Sequence, residues 1–251
     1  MVNLNVDGVL LKDVELVVLD RDGTLIDLYK YWSGMVRKRA ELICKSFNLN
    51  NSDQDKLMQN MGIDLVNKRI KPQGPVGLKK REVVMQQAIN YLESIGVNDS
   101  ESVCEDNFKE VDKWSLNNLN SLIIPIPGAL ELFEELKKKS CKIAIATNDR
   151  KERAQLTMDF LGLANQIDFI VGVDSVGNGK PAPDMIDLII NSLVIDRAKT
   201  IIVGDAITDV EMGLNAKLKA SIGVCTGLTP RSELEKKTKY VIDDISQIVV
   251  E

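Results

Sequence analysis

The chain contains no histidine at all. This absence excludes a Ser-His-Asp triad, a Cys-His pair, phosphohistidine chemistry and every metal site that needs an imidazole ligand. Any catalysis by this protein must therefore use carboxylates, lysine, hydroxyl groups or a metal ion bound by oxygen atoms.

The sequence also lacks an excess of basic residues and a long apolar run. Lys and Arg together number 32 against 37 acidic residues, for a formal net charge of −5. This balance favours neither nucleic acid nor an anionic membrane surface as a partner. No apolar run approaches the ~20 residues that a membrane-spanning helix needs. Residues 1–13 carry acids and no basic region before an apolar one, which is unlike a secretory signal.

Cysteines are few and far apart in the chain. The four of them form no Cys-x-x-Cys pair, and we expect reduced core thiols in a cytoplasmic protein. With 251 residues, 44% of them hydrophobic and 27% charged, the chain can form one large or two ordinary globular domains. We expect small molecules as partners, and the oligomeric state has no signal in the sequence.

One stretch near the N-terminus joins an apolar run to two acids. Leu16–Leu19 is aliphatic and partly β-branched, which is typical of a strand buried on both faces, and it ends at Asp20. Asp22 follows, before a Gly-Thr turn. Open α/β sheets bind ligands at the carboxyl ends of their strands. The two acids are therefore a candidate reaction centre, although an ordinary polar turn would look the same at this point.

The character of the sequence changes between residues 29 and 125. Apolar residues there recur at helical spacing, which predicts an inserted bundle of about four helices. One loop of the insertion, Lys68–Arg81, is rich in Pro, Gly and basic residues. A solvated connection is the simpler interpretation of this loop. The alternative is a specificity loop in which Arg69, Lys71 or Arg81 contacts an anionic group of a substrate.

Short apolar runs alternate with amphipathic ones in the rest of the chain. This alternation predicts an α/β fold with a doubly wound parallel sheet covered by helices on both faces. We expect an α/β core of residues 1–28 and 126–251, with residues 29–125 as a helical insertion. The predicted strands are 16–19, 142–147, 167–171, 200–203 and 220–224. The predicted helices outside the insertion are 129–139, 150–161, 184–193 and 210–216.

Polar residues follow two of the predicted strands. Thr147 and Asn148 come at the end of one strand, and Asp205 and Asp209 come after another. In a parallel sheet they would face the same crevice as the two acids after the first strand. Each residue alone has an ordinary explanation as a helix cap or a turn residue. Their coincidence at one edge of a sheet favours a functional site.

A cation and a metal ion complete the expected site. Lys180 follows a glycine-rich segment that is not a phosphate-binding P-loop, because Pro181 stands where that motif requires Ser or Thr. Carboxylates ~4 Å apart repel by about 4 kcal/mol per pair at an effective dielectric near ~20. A divalent cation would remove this repulsion, and oxygen ligands suit Mg²⁺. With Lys180 and Thr147 added, the site could hold a phosphoryl group.

These segments together resemble the four motifs of the haloacid dehalogenase superfamily. The matching segments are Asp20-Arg-Asp22-Gly-Thr, the strand ending in Thr147-Asn148, Lys180-Pro-Ala-Pro and Gly204-Asp205-x-x-x-Asp209. The helical insertion resembles the first type of cap in that family, which would close over the substrate. Nearly the whole chain is similar to the phosphoglycolate phosphatase-like branch.

The resemblance implies a Mg²⁺-dependent phosphatase that acts on a small phosphomonoester, either phosphoglycolate-like or sugar-phosphate-like. Asp20 would be the nucleophile that forms an aspartyl-phosphate, and Asp22 would be the general acid and base. Relatives that act on carbon–halogen bonds lack this second acid, so the dehalogenase reaction is rejected. Many relatives carry an apolar residue at Arg21. By strand alternation, Arg21 should point away from the reaction centre.

The resemblance also implies metal and phosphate contacts. The implied metal ligands are Asp20, the main-chain carbonyl of Asp22, Asp205 and Asp209. The implied phosphoryl contacts are Thr147, Asn148 and Lys180, and we expect Arg81 to bind a further part of the substrate. The alternatives are a phosphomutase of the β-phosphoglucomutase type, which passes the phosphoryl group to a sugar, and a phosphate-binding protein without turnover.

Overall fold

The computed structural model describes all residues from Met1 to Glu251. The chain divides into two compact units. The core unit comprises residues 1–27 and 125–251, and the helical unit comprises residues 28–124. These limits lie one residue from those expected at each crossing. The function of the helical unit as a cap stays a prediction.

Helices and strands alternate along the core unit and helices dominate the helical unit. The strands are β1 (Val2–Val6), β2 (Val9–Val14), β3 (Leu16–Leu19), β4 (Ile63–Asp64), β5 (Arg69–Ile70), β6 (Lys142–Ala146), β7 (Phe169–Val171), β8 (Thr200–Gly204), β9 (Ala220–Val224), β10 (Tyr240–Ile242) and β11 (Ile248–Val250). The α-helices are α1 (Leu28–Phe47), α2 (Asn51–Asn60), α3 (Arg81–Ser94), α4 (Glu101–Leu116), α5 (Leu119–Leu122), α6 (Ala129–Lys138), α7 (Lys151–Phe160), α8 (Asp184–Leu193), α9 (Ile207–Asn215) and α10 (Arg231–Leu234). Short 3₁₀ helices span Ala164–Gln166, Val173–Ser175, Arg197–Lys199 and Ile245–Gln247.

A six-stranded sheet forms the centre of the core unit, in the order β10-β9-β8-β3-β6-β7. Every pair of neighbouring strands is parallel. This arrangement confirms the predicted α/β fold with a parallel sheet. Because the strands are parallel, the carboxyl ends of β3, β6 and β8 lie at one edge of the sheet. Six residues expected in the site follow these three strands, namely Asp20, Asp22, Thr147, Asn148, Asp205 and Asp209. Lys180 lies in the segment between β7 and α8, and Arg81 is in the helical unit.

The strands are apolar because helices cover both faces of the sheet. All residues of β3, β8 and β9 are buried. Helix α8 contributes Met185, Ile186 and Ile189 to a cluster that also contains β3 and β6 residues. Burying such a side chain contributes about 1.5–3 kcal/mol. Strand β3 pairs with β6 on one side and with β8 on the other, and this packing holds it, and the residues that follow it, in place.

A second sheet of the core unit is antiparallel, with the order β11-β1-β2. Asp7 and Gly8 form the turn between β1 and β2, and both have positive φ (47° and 83°), as a tight Asp-Gly hairpin requires. The strands β10 and β11 were not predicted. Each has three residues, which is too short for a hydrophobic pattern to be read.

The helical unit contains α1 to α5 and the small hairpin β4-β5. Asn50 caps α2, with its side chain accepting from the main chain of Ser52 and Asp53. Part of the basic loop Lys68–Arg81 is not a simple connection, because β5 lies within it. No helix of the chain has both the length and the apolar character needed to cross a membrane. All four cysteines are free.

Candidate active site

Three carboxylates meet at the carboxyl edge of the central sheet. Asp20 follows β3, Asp205 follows β8, and Asp209 lies in the first turn of α9. The main-chain N–H of Asp20 donates to the carbonyl of Val203 at 2.9 Å, which ties the ends of β3 and β8 together. One oxygen atom from each acid lies within 4.8 Å of the others, and all three residues are buried.

Lys180 lies against two of these acids. Its Nζ is 2.5 Å from Asp20 Oδ1 and 2.5 Å from Asp209 Oδ1, and its side chain is 2% exposed. Burial alone would lower the pKa of Lys180, but the two carboxylates raise it above the ordinary value. Lys180 is therefore a buried cation, and it neutralises only part of the charge of three ionised acids.

Burial makes ionisation of this acid cluster unfavourable. Desolvation raises the pKa of Asp20 to about 6, and Asp209 adds to this effect while Lys180 opposes it. Desolvation, together with the nearby Asp20 and Asp209, raises the pKa of Asp205 well above its ordinary range. A bound cation would reverse this preference because it stabilises the ionised carboxylates.

The residues present fit a divalent metal ion. Three acids and one lysine have a net charge of minus two when all are ionised, and carboxylate oxygens are the ligands of hard divalent cations. The main chain closes tightly on Asp205 from two sides. A Cβ added at Gly23 would lie 2.7 Å from the Asp205 carboxyl carbon, and one at Gly227 would lie 1.6 Å from its Oδ2. The cluster can therefore hold such an ion, and the main chain on two sides restricts the position of the Asp205 carboxylate.

Thr147 and Asn148 follow β6 at the same edge. The Thr147 hydroxyl oxygen accepts a hydrogen bond from the main-chain N–H of Asp149 at 3.1 Å, which leaves its hydroxyl proton available for donation to a ligand. Asn148 Oδ1 accepts from the main-chain N–H of Lys180 at 3.1 Å. Asn148 therefore connects the loop after β6 to the loop that carries the lysine.

Strand alternation predicted that Arg21 points away from the reaction centre, and this prediction is wrong, because Arg21 binds Asp22. Strand β3 ends at Leu19, so the alternation of an extended strand does not reach Arg21. Its guanidinium instead donates two hydrogen bonds of 2.8 Å to the carboxylate of Asp22 and one of 2.8 Å to Asp149. Burial raises the pKa of Asp22, and the adjacent guanidinium opposes this rise.

Some residues of the site were not found from the sequence. Asp149 contacts Arg21, and the loop after β9 contacts Asp205 through the main-chain N–H of Leu228 at 3.1 Å from Oδ2. Thr226 in the same loop donates to the carbonyl of Gly23. The available signal was that this polar loop, like the other site loops, follows a buried strand of the parallel sheet.

The three basic residues considered for a substrate contact are each engaged within the helical unit. Their contacts are Arg69 Nε with Asp64 Oδ2 at 3.1 Å, Lys71 Nζ with the carbonyl of Gln59 at 2.7 Å, and Arg81 Nε with Asp112 Oδ2 at 3.1 Å. The guanidinium of Arg81 also lies 5.3 Å from the centre of the Phe108 ring. The expected contact between Arg81 and a substrate stays a prediction.

Comparison with known proteins identifies relatives of this chain. A family model described as a haloacid dehalogenase-like hydrolase matches residues 14–217. Phosphoglycolate phosphatase of Aquifex aeolicus is 31% identical over 129 residues, which are 49% of this chain and 61% of the relative. Phosphorylated carbohydrates phosphatase of Thermotoga maritima is 25% identical over 218 residues, covering 86% of this chain and 87% of the relative.

Coverage of the relatives varies. The Aquifex protein and two further curated relatives are matched over only 48% to 61% of their own length. Among solved structures, a predicted phosphoglycolate phosphatase from Haemophilus somnus has a TM-score of 0.72 and 18% identity, with 94% of this chain and 96% of that chain covered. A similarity at this identity shows a shared fold.

Proposed function

Since the chain belongs to the haloacid dehalogenase-like hydrolase family, we propose that it is a cytoplasmic Mg²⁺-dependent phosphatase of a small phosphomonoester. The observation that carries this proposal is the buried group of Asp20, Asp205 and Asp209 with Lys180 at the carboxyl edge of the sheet. Such a group suits a metal ion and a phosphoryl group together. The phosphatase names of the relatives support a phosphoric monoester hydrolase.

In the proposed first step, a carboxylate oxygen of Asp20 attacks phosphorus. The bond between phosphorus and the ester oxygen breaks, and the leaving oxygen takes a proton from Asp22. The products are an alcohol and a phosphoryl group bound to Asp20. Thr147 and Lys180 would contact the phosphoryl oxygens and stabilise the charge that they carry in the transition state.

In the second step, a water molecule attacks the phosphorus atom of the aspartyl-phosphate. The Asp22 carboxylate takes a proton from this water, and the bond between phosphorus and Asp20 breaks. Inorganic phosphate is released, and both acids return to their initial state. The sum of the two steps is the hydrolysis of one ester bond by one water molecule.

The metal site of the proposal uses this chain's own acids. The residues that would hold Mg²⁺ are Asp20, Asp205 and Asp209, with the main-chain carbonyl of Asp22. When bound, Mg²⁺ would offset the negative charge of the carboxylates and of the phosphoryl group, so that an anionic nucleophile can approach an anionic ester. The four free thiols are compatible with the reducing cytoplasm.

The proposal assigns the choice of ester to the helical unit. Functional specificity resides in the residues of a site and does not follow from the fold. Arg81 is the residue of this unit that we propose for a further anionic group of the substrate. Phosphoglycolate-like and sugar-phosphate-like esters are the proposed classes, in keeping with the relatives' names.

The Asp20→Asn variant tests the proposed reaction. We expect the wild-type protein to release inorganic phosphate from small phosphomonoesters only with Mg²⁺, and the variant to lose this activity by roughly 10³-fold or more. Asp159→Asn is a matched control, because Asp159 is exposed on α7 and accepts a hydrogen bond from Gln155. Full phosphate release by Asp20→Asn would contradict the mechanism.

The same assay separates the alternatives. Formation of an isomerised sugar phosphate without free phosphate would identify a phosphomutase. A long-lived acyl-phosphate on Asp20, or no release from any ester of the panel, would identify a phosphate-binding protein without turnover.

A further inference from the structure

Arg21 is fully buried and binds a predicted catalytic group through two hydrogen bonds. Its Nε donates to Asp22 Oδ1 and its Nη2 donates to Asp22 Oδ2, each at 2.8 Å. The Arg21 side chain is 0% exposed and that of Asp22 is 15% exposed. Burying a guanidinium costs free energy unless it is paired with acids. The burial of Arg21 is therefore unfavourable in free energy without its acidic partners, and two of its hydrogen bonds go to Asp22.

A second acid accepts a hydrogen bond from Arg21 Nη2, the same nitrogen that donates to Asp22 Oδ2. Asp149 Oδ2 lies 2.8 Å from Arg21 Nη2, and Asp149 is itself fixed by Arg153 at 3.6 Å. The main-chain N–H of Asp149 also donates to the hydroxyl oxygen of Thr147. Asp149 thus connects the loop after β3, which carries Asp22, to the loop after β6, which carries a proposed phosphoryl contact.

The geometry of this pairing restricts the Asp22 carboxylate to one orientation. Asp22 lies beyond the end of β3 and its backbone forms an isolated bridge with Ile26, a backbone contact that does not itself orient the side chain. A planar guanidinium that binds both oxygens of a carboxylate defines its plane, which a lysine ammonium cannot do. Each carboxylate oxygen keeps a further lone pair, so the paired group can still transfer a proton.

We propose that Arg21, held by Asp149, is a positioning residue that orients Asp22 for protonation of the leaving oxygen. This inference rests on the proposed phosphatase reaction and adds two residues, Arg21 and Asp149, to the machinery of its first step. Neither residue is expected to contact the substrate. Their effect on the rate passes through Asp22.

The dependence of the rate on the leaving group tests this inference. An alkyl phosphomonoester releases a strongly basic alkoxide unless the leaving oxygen is protonated, whereas p-nitrophenyl phosphate releases a stabilised phenolate. Misorientation of the general acid should therefore slow the alkyl ester selectively. The informative quantity is kcat/KM, because it reports the first step and not the later release of phosphate.

The test uses Arg21→Lys and Asp149→Asn. Arg21→Lys keeps the positive charge but loses the planar pair of donors that binds both oxygens of Asp22. Asp149→Asn keeps the size of the side chain but removes the negative charge that pairs with Arg21. For each, we expect kcat/KM to fall by about 10–100-fold for the alkyl ester that the wild type hydrolyses best, and by less than about threefold for p-nitrophenyl phosphate. Arg197→Lys is the control, since Arg197 forms a half-exposed pair with Asp187 at 2.9 Å, and it should leave both rates unchanged.

A double variant shows whether Arg21 acts through Asp22. Asp22→Asn should give the same selective loss, and Arg21→Lys combined with Asp22→Asn should lose no more than Asp22→Asn alone. Equal losses for both esters, no loss in either variant, or additive losses in the double variant would overturn the inference. These outcomes presuppose a wild-type enzyme that depends on Asp20, so they are distinct from a failure of the proposed function.

Discussion

The main chain of Gly227 and Leu228 packs closely against the carboxylate of Asp205. Gly227 has no side chain that would push this carboxylate away. A Cβ at Gly227 would lie 1.6 Å from Asp205 Oδ2, and the N–H of Leu228 donates to the same oxygen. Only glycine allows the backbone to approach a ligand atom this closely. The orientation of this acid therefore depends on one residue of the loop after β9, 22 positions further along the chain.

We predict that Gly227→Ala weakens metal binding. Gly227 does not have the positive φ that would strain an alanine, so the effect should come from displacement of Asp205. The Mg²⁺ concentration for half-maximal activity should rise by about 10–100-fold. Gly177→Ala is the control, because its Cβ would lie 3.9 Å from the nearest atom, Asp184 Oδ2. Unchanged Mg²⁺ dependence in Gly227→Ala would show that Asp205 does not bind the metal or that the loop adapts.

At the scale of elements, the start of α6 is packed against the C-terminal 3₁₀ helix Ile245–Gln247. Gly128 precedes α6 with a φ of 85°, and a Cβ there would lie 2.5 to 2.9 Å from atoms of Ser246. Gly162, which follows α7, also has a positive φ of 72°, but a Cβ there would have no atom within 4 Å. Both glycines therefore have a backbone conformation that strains other residues, but only Gly128 is closely packed against another element.

This difference predicts unequal losses of stability. Gly162→Ala should lower the free energy of unfolding by about 1–2 kcal/mol, which is the cost of left-handed backbone for alanine. Gly128→Ala should lower it by a further ~1–3 kcal/mol, because the added methyl group forces α6 and the 3₁₀ helix apart. Urea unfolding followed by circular dichroism measures both values. Equal losses would mean that the contact with Ser246 relaxes without cost.

For the whole molecule, the absence of histidine simplifies the dependence of stability on pH. The pKa of Asp20 is raised by burial to about 6 from an ordinary value of 3.8, and burial also raises the pKa of Asp205 well above its ordinary value. The folded metal-free protein thus binds protons more tightly than the unfolded chain in this range. Hydrogen bonds from Asn67 lower the pKa of Asp64 to about 2. Its ionised carboxylate therefore stabilises the fold at neutral pH, and this contribution is lost only as the pH falls below about 4.

We predict that the metal-free protein becomes more stable as the pH falls from 8 to 5. The gain should be on the order of 1 kcal/mol for Asp20 alone, since its stabilising protonation begins near the folded pKa and is complete below the unfolded one. Mg²⁺ requires ionised acids, so it should raise the melting temperature more at pH 8 than at pH 5. Thermal unfolding with Mg²⁺ and with a chelator measures both effects. The same Mg²⁺ effect at the two pH values would contradict this account.

Hydrophobic patterning was sufficient to predict five of the six strands of the central sheet, β3, β6, β7, β8 and β9. The apolar runs of β3, β8 and β9 are buried on both faces, which is why they could be recognised without alternation. Once the sheet was expected to be parallel, the residues after its strands could be assigned to one edge. The hairpin β4-β5 and the strands β10 and β11 were missed because two or three residues contain no periodic signal. Strand β7 is equally short, but it was predicted as part of the longer segment 167–171, in the alternation of strands and helices.

The Asp20-Arg-Asp22 segment shows where prediction from sequence ended. The sequence by itself determined that two acids follow a buried strand, because the change from apolar to acidic residues is local. Only the tertiary structure decided that Arg21 joins Asp22 to Asp149, 128 positions away, and that Lys180 lies on Asp20 across 160 positions. Side-chain pairing of this kind depends on how loops from different strands meet, and that geometry is set by the packing of the whole sheet.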